Sequence, residues 1–291
     1  MSSLQAASPA AQTSASAQEA AQERFALRQL QLAHGQLAWR EAGQGTPLVL
    51  LHGIGSGSAS WAAQLHALSS RYRVLAWDAP GYGGSDPLPQ QQPLGDDYAA
   101  VLASWLTQIG AAAAIVVGHS LGAIVAASWA ARADTTPRAL LLASPARGYG
   151  QAAAELRDAK FRERVELVER LGIAGLAASR AAGLCAPGAD AATVEIVRRN
   201  MARVTPIGYA QAAWMLAHDD LQTRLRATPR PLAVLCGELD RVTPPDACRA
   251  LAEAIGAPFV ELPGVAHACY VENPTQFNAA LTGALKELPR G

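Results

Sequence analysis

The chain has 291 residues, half of them hydrophobic and 16% charged, and its 24 basic and 24 acidic side chains balance to zero net charge. Such a chain has ample material for a large core and lacks the basic excess of a nucleic-acid footprint or a polybasic membrane patch. Its longest apolar runs are strand-sized, too short to span a bilayer. The N-terminus lacks the basic-then-apolar pattern of a secretory signal, so a cytoplasmic location is expected. Four cysteines (Cys185, Cys236, Cys248, Cys269) show no metal-ligand spacing and read as reduced, buried thiols.

Residues 1–24 are rich in Ala, Ser and Gln without a hydrophobic period and are expected to form a disordered tail. From residue 25 to 148 the pattern is α/β. Two strand-like runs, 24–32 and 36–42, meet at Ala33-His34-Gly35 as a hairpin. A buried strand follows at 46–51 and ends in the Gly-rich stretch His52-Gly53-Ile54-Gly55-Ser56-Gly57. This stretch fails the dinucleotide fingerprint, because position 58 is Ser, and no phosphate-loop lysine follows. Helical spacing of Trp61, Leu65 and Leu68 predicts a helix over 60–68, with Trp61 packing rather than touching a ligand. The strand at 72–77 ends in Asp78-Ala79-Pro80-Gly81, where Asp78 reads as the residue that fixes the loop. A helix at 96–109 begins with acidic residues, as its dipole favours, and a further buried strand covers 138–143 without a carboxylate at its end.

Between these last two elements, the apolar run 113–117 leads through Gly118-His119-Ser120-Leu121-Gly122 into a small-residue helical run, 123–130. Strand, G-x-S-x-G and helix in that order form a nucleophile elbow, where only glycine-sized residues fit beside the serine. From 149 to 226 strand patterns vanish and amphipathic helical segments take over at 152–171, 173–182, 191–204 and 207–225. An all-helical block inside an α/β pattern predicts a lid. Met201, Tyr209, Trp214 and Met215 lie on it as candidates for substrate contact, beside the plainer reading that they pack the lid together. The α/β pattern returns over 227–291, with strands at 231–236 and 258–262 and helices at 246–255 and 273–288.

A serine at neutral pH needs a base to take its proton, and the base needs an acid to hold its tautomer. Asp240 follows the strand at 231–236 and His267 follows the last strand, so both fall with Ser120 at carboxyl ends of strands, the edge where open α/β sheets bind ligands. Glu238 is a rival acid, and Asp240 could instead cap the helix that follows it.

From about residue 25 to 288 the chain resembles the lid-bearing α/β-hydrolases. The resemblance rests on His52-Gly53-Ile54-Gly55, Asp78-x-Pro80-Gly81-x-Gly83, the elbow, Gly237-x-x-Asp240 and His267, in the family's order Ser, Asp, His. It implies a mostly parallel twisted sheet with helices on both faces, an inserted helical lid, and a Ser120–His267–Asp240 triad. The implied oxyanion donors are the backbone N–H groups of Ile54 and Leu121. In such a fold His52 and His119 support loops and transfer no proton. The family needs no cofactor, and the six scattered histidines predict no metal site. Wording around Met201, Pro206–Tyr209, Asp219-Asp220-Leu221 and Asp240-x-x-x-Pro244 is similar to that of small esterases and enol-lactonases of aromatic catabolism, which implies an ester or lactone of a small, largely apolar molecule. Carbon–carbon bond hydrolases, cofactor-free perhydrolases and a non-catalytic small-ligand receptor are the alternatives. Ala268 stands where the first of these groups usually has Trp. The oligomeric state is not legible in the sequence.

Overall fold

The computed structural model describes residues 25–135, 137–228 and 233–287, so the expected tail, the start of the strand at 231 and the final helical residue 288 lie outside the described residues. Strands β1 (Leu27–Leu32) and β2 (Gly35–Ala42) form the hairpin, and β3 (Pro47–Leu51), β4 (Arg73–Trp77), β5 (Ile115–His119), β6 (Ala139–Ala143), β7 (Ala233–Gly237) and β8 (Phe259–Leu262) complete one eight-stranded sheet. Its order is β1-β2-β4-β3-β5-β6-β7-β8, with β1, β2 and β4 antiparallel neighbours and every later pairing parallel. The strand order reverses between β3 and β5, where Leu51 pairs with Gly118. Crevices at such reversals, outside the carboxyl ends of the strands, are where doubly wound sheets bind ligands.

Strands β3 to β7 are unbroken apolar runs because both faces of the sheet are covered. Side chains alternate between the faces. Val49, Leu51, Val116 and Leu142 pack toward α2 (Gly95–Gln108), α3 (Gly122–Ala130) and α8 (Pro245–Ile255). Leu48, Leu50, Val117 and Leu141 pack toward α1 (Ala62–Leu68) and α10 (Pro274–Leu285). Trp61 lies wholly buried in a 3-10 turn (Ser58–Trp61) and stacks on Tyr270 at 3.9 Å, so it packs as its spacing predicted. One element went unforeseen: α9 (Cys269–Glu272), a single turn after His267 that is too short to carry a periodic signal.

Between β6 and β7 the chain is helical: α4 (Ala154–Arg180), α5 (Ala191–Met201), α6 (Pro206–His218) and α7 (Leu221–Leu225). The break expected at Gly172 is a kink within α4, where glycine takes φ 64°, ψ 172°. Pro206 starts α6 rather than interrupting a helix, its missing N–H costing nothing at that position. Asp219 ends the segment expected to run on to Leu225, because its side chain turns back to the core. There it accepts the Gly95 N–H at 2.7 Å and pairs with Arg224, which also reaches Asp96 at 2.6 Å. This clamp ties the insert to the first turn of α2. Among the described residues no helix is long and apolar enough to cross a membrane, and all four cysteines are free and buried.

Asp219 is buried, so removing its cation leaves a desolvated carboxylate short of two charge-assisted bonds. Arg224→Met is expected to lower unfolding free energy by about 2 kcal/mol, measured by urea denaturation. A loss below about 0.5 kcal/mol, the usual effect of a neutral surface change, would show that the clamp adds nothing net.

Candidate functional site

The turn after β5 is crowded from both sides. A Cβ built on Gly118 would stand 2.5 Å from the Gly122 carbonyl oxygen, and one on Gly122 would stand 2.5 Å from the Leu51 carbonyl oxygen. Only glycine allows strand, turn and helix to approach so closely. Between them Ser120 adopts φ 51°, rare for a non-glycine residue and worth about 1–3 kcal/mol of strain. The strained turn is held by its backbone: the Ser120 N–H donates to Ala143, and the Ser120 carbonyl accepts from Ala123 and Ala146.

Asp240 and His267 come from the loops after β7 and β8. The His267 Nδ1–H donates to Asp240 Oδ2 at 2.9 Å. The same oxygen accepts the Thr243 hydroxyl at 2.8 Å, and Oδ1 accepts the N–H groups of Val242 and Thr243 at 2.8 and 2.9 Å. Burial alone would raise the Asp240 carboxyl, but the bonds from His267 and Thr243 outweigh it and hold the group at about 2. An ionised carboxylate only accepts, so a proton sits on Nδ1, and in the neutral ring the lone pair is on Nε2. Asp240 therefore both orders the loop entering α8 and orients the histidine. The rival acid, Glu238, turns to the Gly264 N–H at 2.8 Å.

His52 and His119 hold backbone. His52 Nε2 accepts the Ala79 N–H at 3.0 Å, so its proton is on Nδ1, which donates to the Gly53 carbonyl at 2.8 Å. That carbonyl also accepts the Ser56 N–H. Because a trans peptide is planar, fixing the Gly53 C=O points the Ile54 N–H the opposite way. Tyr82 pins the next peptide through its bond to the Ile54 carbonyl at 2.9 Å. The bonds to the Ser120 carbonyl orient the Leu121 N–H by the same logic. His119 Nε2–H donates to the His267 carbonyl at 2.9 Å. Burial, then the neighbouring His267, push His119 down to about 3, which keeps it neutral. Asp78 accepts the Gly84 N–H of its own loop at 3.4 Å and the Ser58 N–H of the neighbouring Gly-rich loop at 2.7 Å, joining the two.

A cavity of about 440 Å³ lies over this edge of the sheet, lined by Gly53, Ile54, Ser120 and His267 below and by Met201 and Tyr209 of the insert above. A Cβ on Gly53 would come within 2.9 Å of the Ser120 Cβ, and one on Gly55 within 2.6 Å of the Met201 methyl, so loop, serine and roof are in contact. The other two insert candidates lie elsewhere. Trp214 stacks on His218 at 3.6 Å and meets Phe161 edge to face at 5.1 Å, and Met215 is buried beside His52 and Tyr82. One face of α6 cannot serve both the cavity and the core, and the sequence did not reveal which residues served which. Glu272 was missed altogether. Its carboxylate accepts the N–H groups of Ala266, next to His267, and Ala186, in the insert, at 2.9 and 2.7 Å. Together with the bond from Ala268 N–H to the Leu184 carbonyl, it staples the histidine loop to the insert. Its signal lay only in the unforeseen turn α9. Among the described residues no group of three or more His, Cys, Asp or Glu side chains could hold a metal ion.

This architecture has relatives. The chain matches the alpha/beta hydrolase family over residues 48–280. It belongs to that family. The hydrolase is 29% identical over 260 residues to the pimeloyl-(acyl-carrier protein) methyl ester esterase of Chromobacterium violaceum, covering 84% of this chain and 96% of that protein. It is 26% identical over 246 residues to 3-oxoadipate enol-lactonase 2 of Acinetobacter baylyi, covering 82% and 88%. A solved thermophilic esterase from Thermogutta terrifontis superimposes with a TM-score of 0.80 at 26% identity, covering 90% of this hydrolase and 99% of that chain.

The Asp240 carboxyl, near 3.9 in an unfolded chain, is held at about 2 in the hydrolase. A depressed acid stabilises the fold above its unfolded value, so this contribution is full above about pH 4 and lost as pH falls through about 2. Urea midpoints between pH 5 and 2 are expected to fall less steeply in Asp240→Asn than in the wild type. Parallel curves would show that the pair contributes nothing to acid stability.

Proposed function

We propose that this hydrolase cleaves a carboxylic ester or lactone of a small, largely apolar substrate through an acyl-enzyme on Ser120. The observation that carries the reading is the Asp240–His267 hydrogen bond, because it leaves His267 Nε2 as a base in the cavity that Ser120 also lines.

In the proposed cycle Nε2 takes the Ser120 proton as Oγ bonds to the substrate carbonyl carbon. The carbonyl π electrons move to its oxygen, and the backbone N–H groups of Ile54 and Leu121 receive the oxyanion. Collapse breaks the bond to the leaving oxygen, which takes the proton back from the imidazolium. Water, deprotonated by the same nitrogen, then attacks the acyl carbon, and Ser120 departs with the proton. Ionised Asp240 stabilises each imidazolium without itself being protonated. Apolar side chains of Ile54, Leu176, Leu184, Val197 and Met201 support an apolar acyl or alcohol group. The 440 Å³ volume lies within the usual range for small-molecule sites, about 300–1,000 Å³. We assign the insert as the lid over this cavity, with the core as residues 25–148 and 227–291. A largely apolar small molecule of this kind is the expected partner.

Initial rates on short- and medium-chain p-nitrophenyl esters, simple lactones and one vinylogous ring-cleavage diketone test the reading. Turnover of an ester or lactone is expected to fall about 10⁴- to 10⁶-fold in Ser120→Ala. Turnover that survives the substitution sinks the nucleophile, and turnover of the diketone alone moves the activity to carbon–carbon bond hydrolysis.

A further inference from the structure

The cavity is not apolar throughout. Arg147, Arg164 and Arg180 also line it, against a single carboxylate, Asp220, among the described lining residues. The Asp220 side chain is occupied at the start of α7, where it accepts the Thr223 N–H at 2.7 Å. Several arginines elsewhere in the molecule are matched to acids, among them Arg73 to Glu41, Arg198 to Glu195, Arg224 to Asp96 and Asp219, and Arg249 to Glu261. Among the described residues none of the three cavity arginines forms an ion pair; the neighbouring acid, Glu163, is paired with Lys160 at 3.0 Å, with Arg164 and Arg180 lowering its carboxyl less strongly.

Their placement depends on the kink. Arg164 and Arg180 are sixteen residues apart on α4, about 24 Å along an unbroken helix. The left-handed turn at Gly172 breaks the helix between them, and both side chains line one cavity. The charge of each is felt at buried Tyr209, another wall residue, whose phenol burial raises, these two cations lower, and Glu163 raises in smaller measure. Arg164 is also fixed: it donates to the Lys160 carbonyl at 2.8 Å and lies over the Tyr149 ring at 5.8 Å. An arginine held in this way is ready to present its planar fork to an oxyanion without losing much further freedom.

We infer that Arg164 and Arg180, with Arg147 lining the same cavity, form an anion-binding subsite, and that the substrate is a half-ester or lactone carrying a carboxylate remote from the bond that is cleaved. The inference rests on the ester or lactone reading above. The carboxylate would lie under the insert, with an apolar chain running between it and Ser120. The subsite confers specificity and takes no part in proton transfer.

The test pairs monomethyl half-esters of five- to eight-carbon α,ω-dicarboxylic acids with methyl esters of the matching ω-amides, which are equal in length and neutral. In the wild type the ratio of the two kcat/KM values is expected to favour the acid about ten-fold or more, as for a charge-assisted hydrogen bond. That preference should sit mainly in KM and weaken as salt is raised. In Arg164→Gln and Arg180→Gln the ratio should fall toward one. Because the ratio is internal to each variant, partial loss of folded protein does not move it. A wild-type ratio near one at every length, or a ratio unmoved by both substitutions, overturns the anion subsite. Labelling of Ser120 by a serine-directed phosphonate, read by intact mass, separates the two levels. A labelled enzyme without charge preference loses only the subsite. An unlabelled enzyme inert to all esters and lactones loses the ester reading and the subsite with it.

Discussion

The close approach of α3 to the end of β3 governs the rest of the site. Gly122 passes so near the Leu51 and His52 carbonyls that a single methyl group would collide with them, and Gly118 meets the first residues of the helix in the same way. This contact forces the positive φ of Ser120, lifts its side chain out of the sheet, and brings the Gly53–Gly55 loop alongside. The Ser120 turn and the loop are therefore not two features placed near each other. They are two sides of one packing contact, made possible by glycine and by the reversal of strand order between β3 and β5.

Around that contact the buried polar side chains mostly hold backbone. His52 fixes the Gly53 peptide, Tyr82 the next one, Asp78 the neighbouring loop and His119 the carbonyl of His267. Each is a neutral imidazole, phenol or loop carboxylate paired with a peptide group, which is how a water-poor interior keeps polar atoms satisfied and aimed. The buried carboxylate of Asp240 is surrounded by four donors. Preorganisation of this kind lets a site stabilise charge without first reorganising itself.

The insert is bonded to the core at both ends of the site. The Asp219–Arg224–Asp96 clamp holds it to α2, and Glu272 with Leu184 joins it to the loop carrying His267. Met201 meets Gly55 from above. A displacement of the insert would thus be felt both at the loop over Ser120 and at the loop that carries His267.

Much of this was legible in the chain. Unbroken apolar runs ending in Gly, Asp or His loops marked the strands and the edge where chemistry-bearing residues gather, because burial on both faces leaves a strong one-dimensional pattern. The elbow was legible for the same reason: crowding restricts Gly118 and Gly122 to one residue type. Asp78 read as a loop support because a better acid stands later in the chain, and the family resemblance implied the same role for His52 and His119. Only the tertiary structure decided what the helical insert presents to the cavity. Met201 and Tyr209 face it while Trp214 and Met215 do not, Glu272 reaches two loops distant in sequence, and a kink at Gly172 gathers arginines from separate helical arms. Amphipathic periodicity reports that a helix has a buried face, but which neighbour buries that face depends on contacts between distant segments. That is why the strand-end positions of Ser120, Asp240 and His267 could be read from the sequence and the walls of the cavity above them could not.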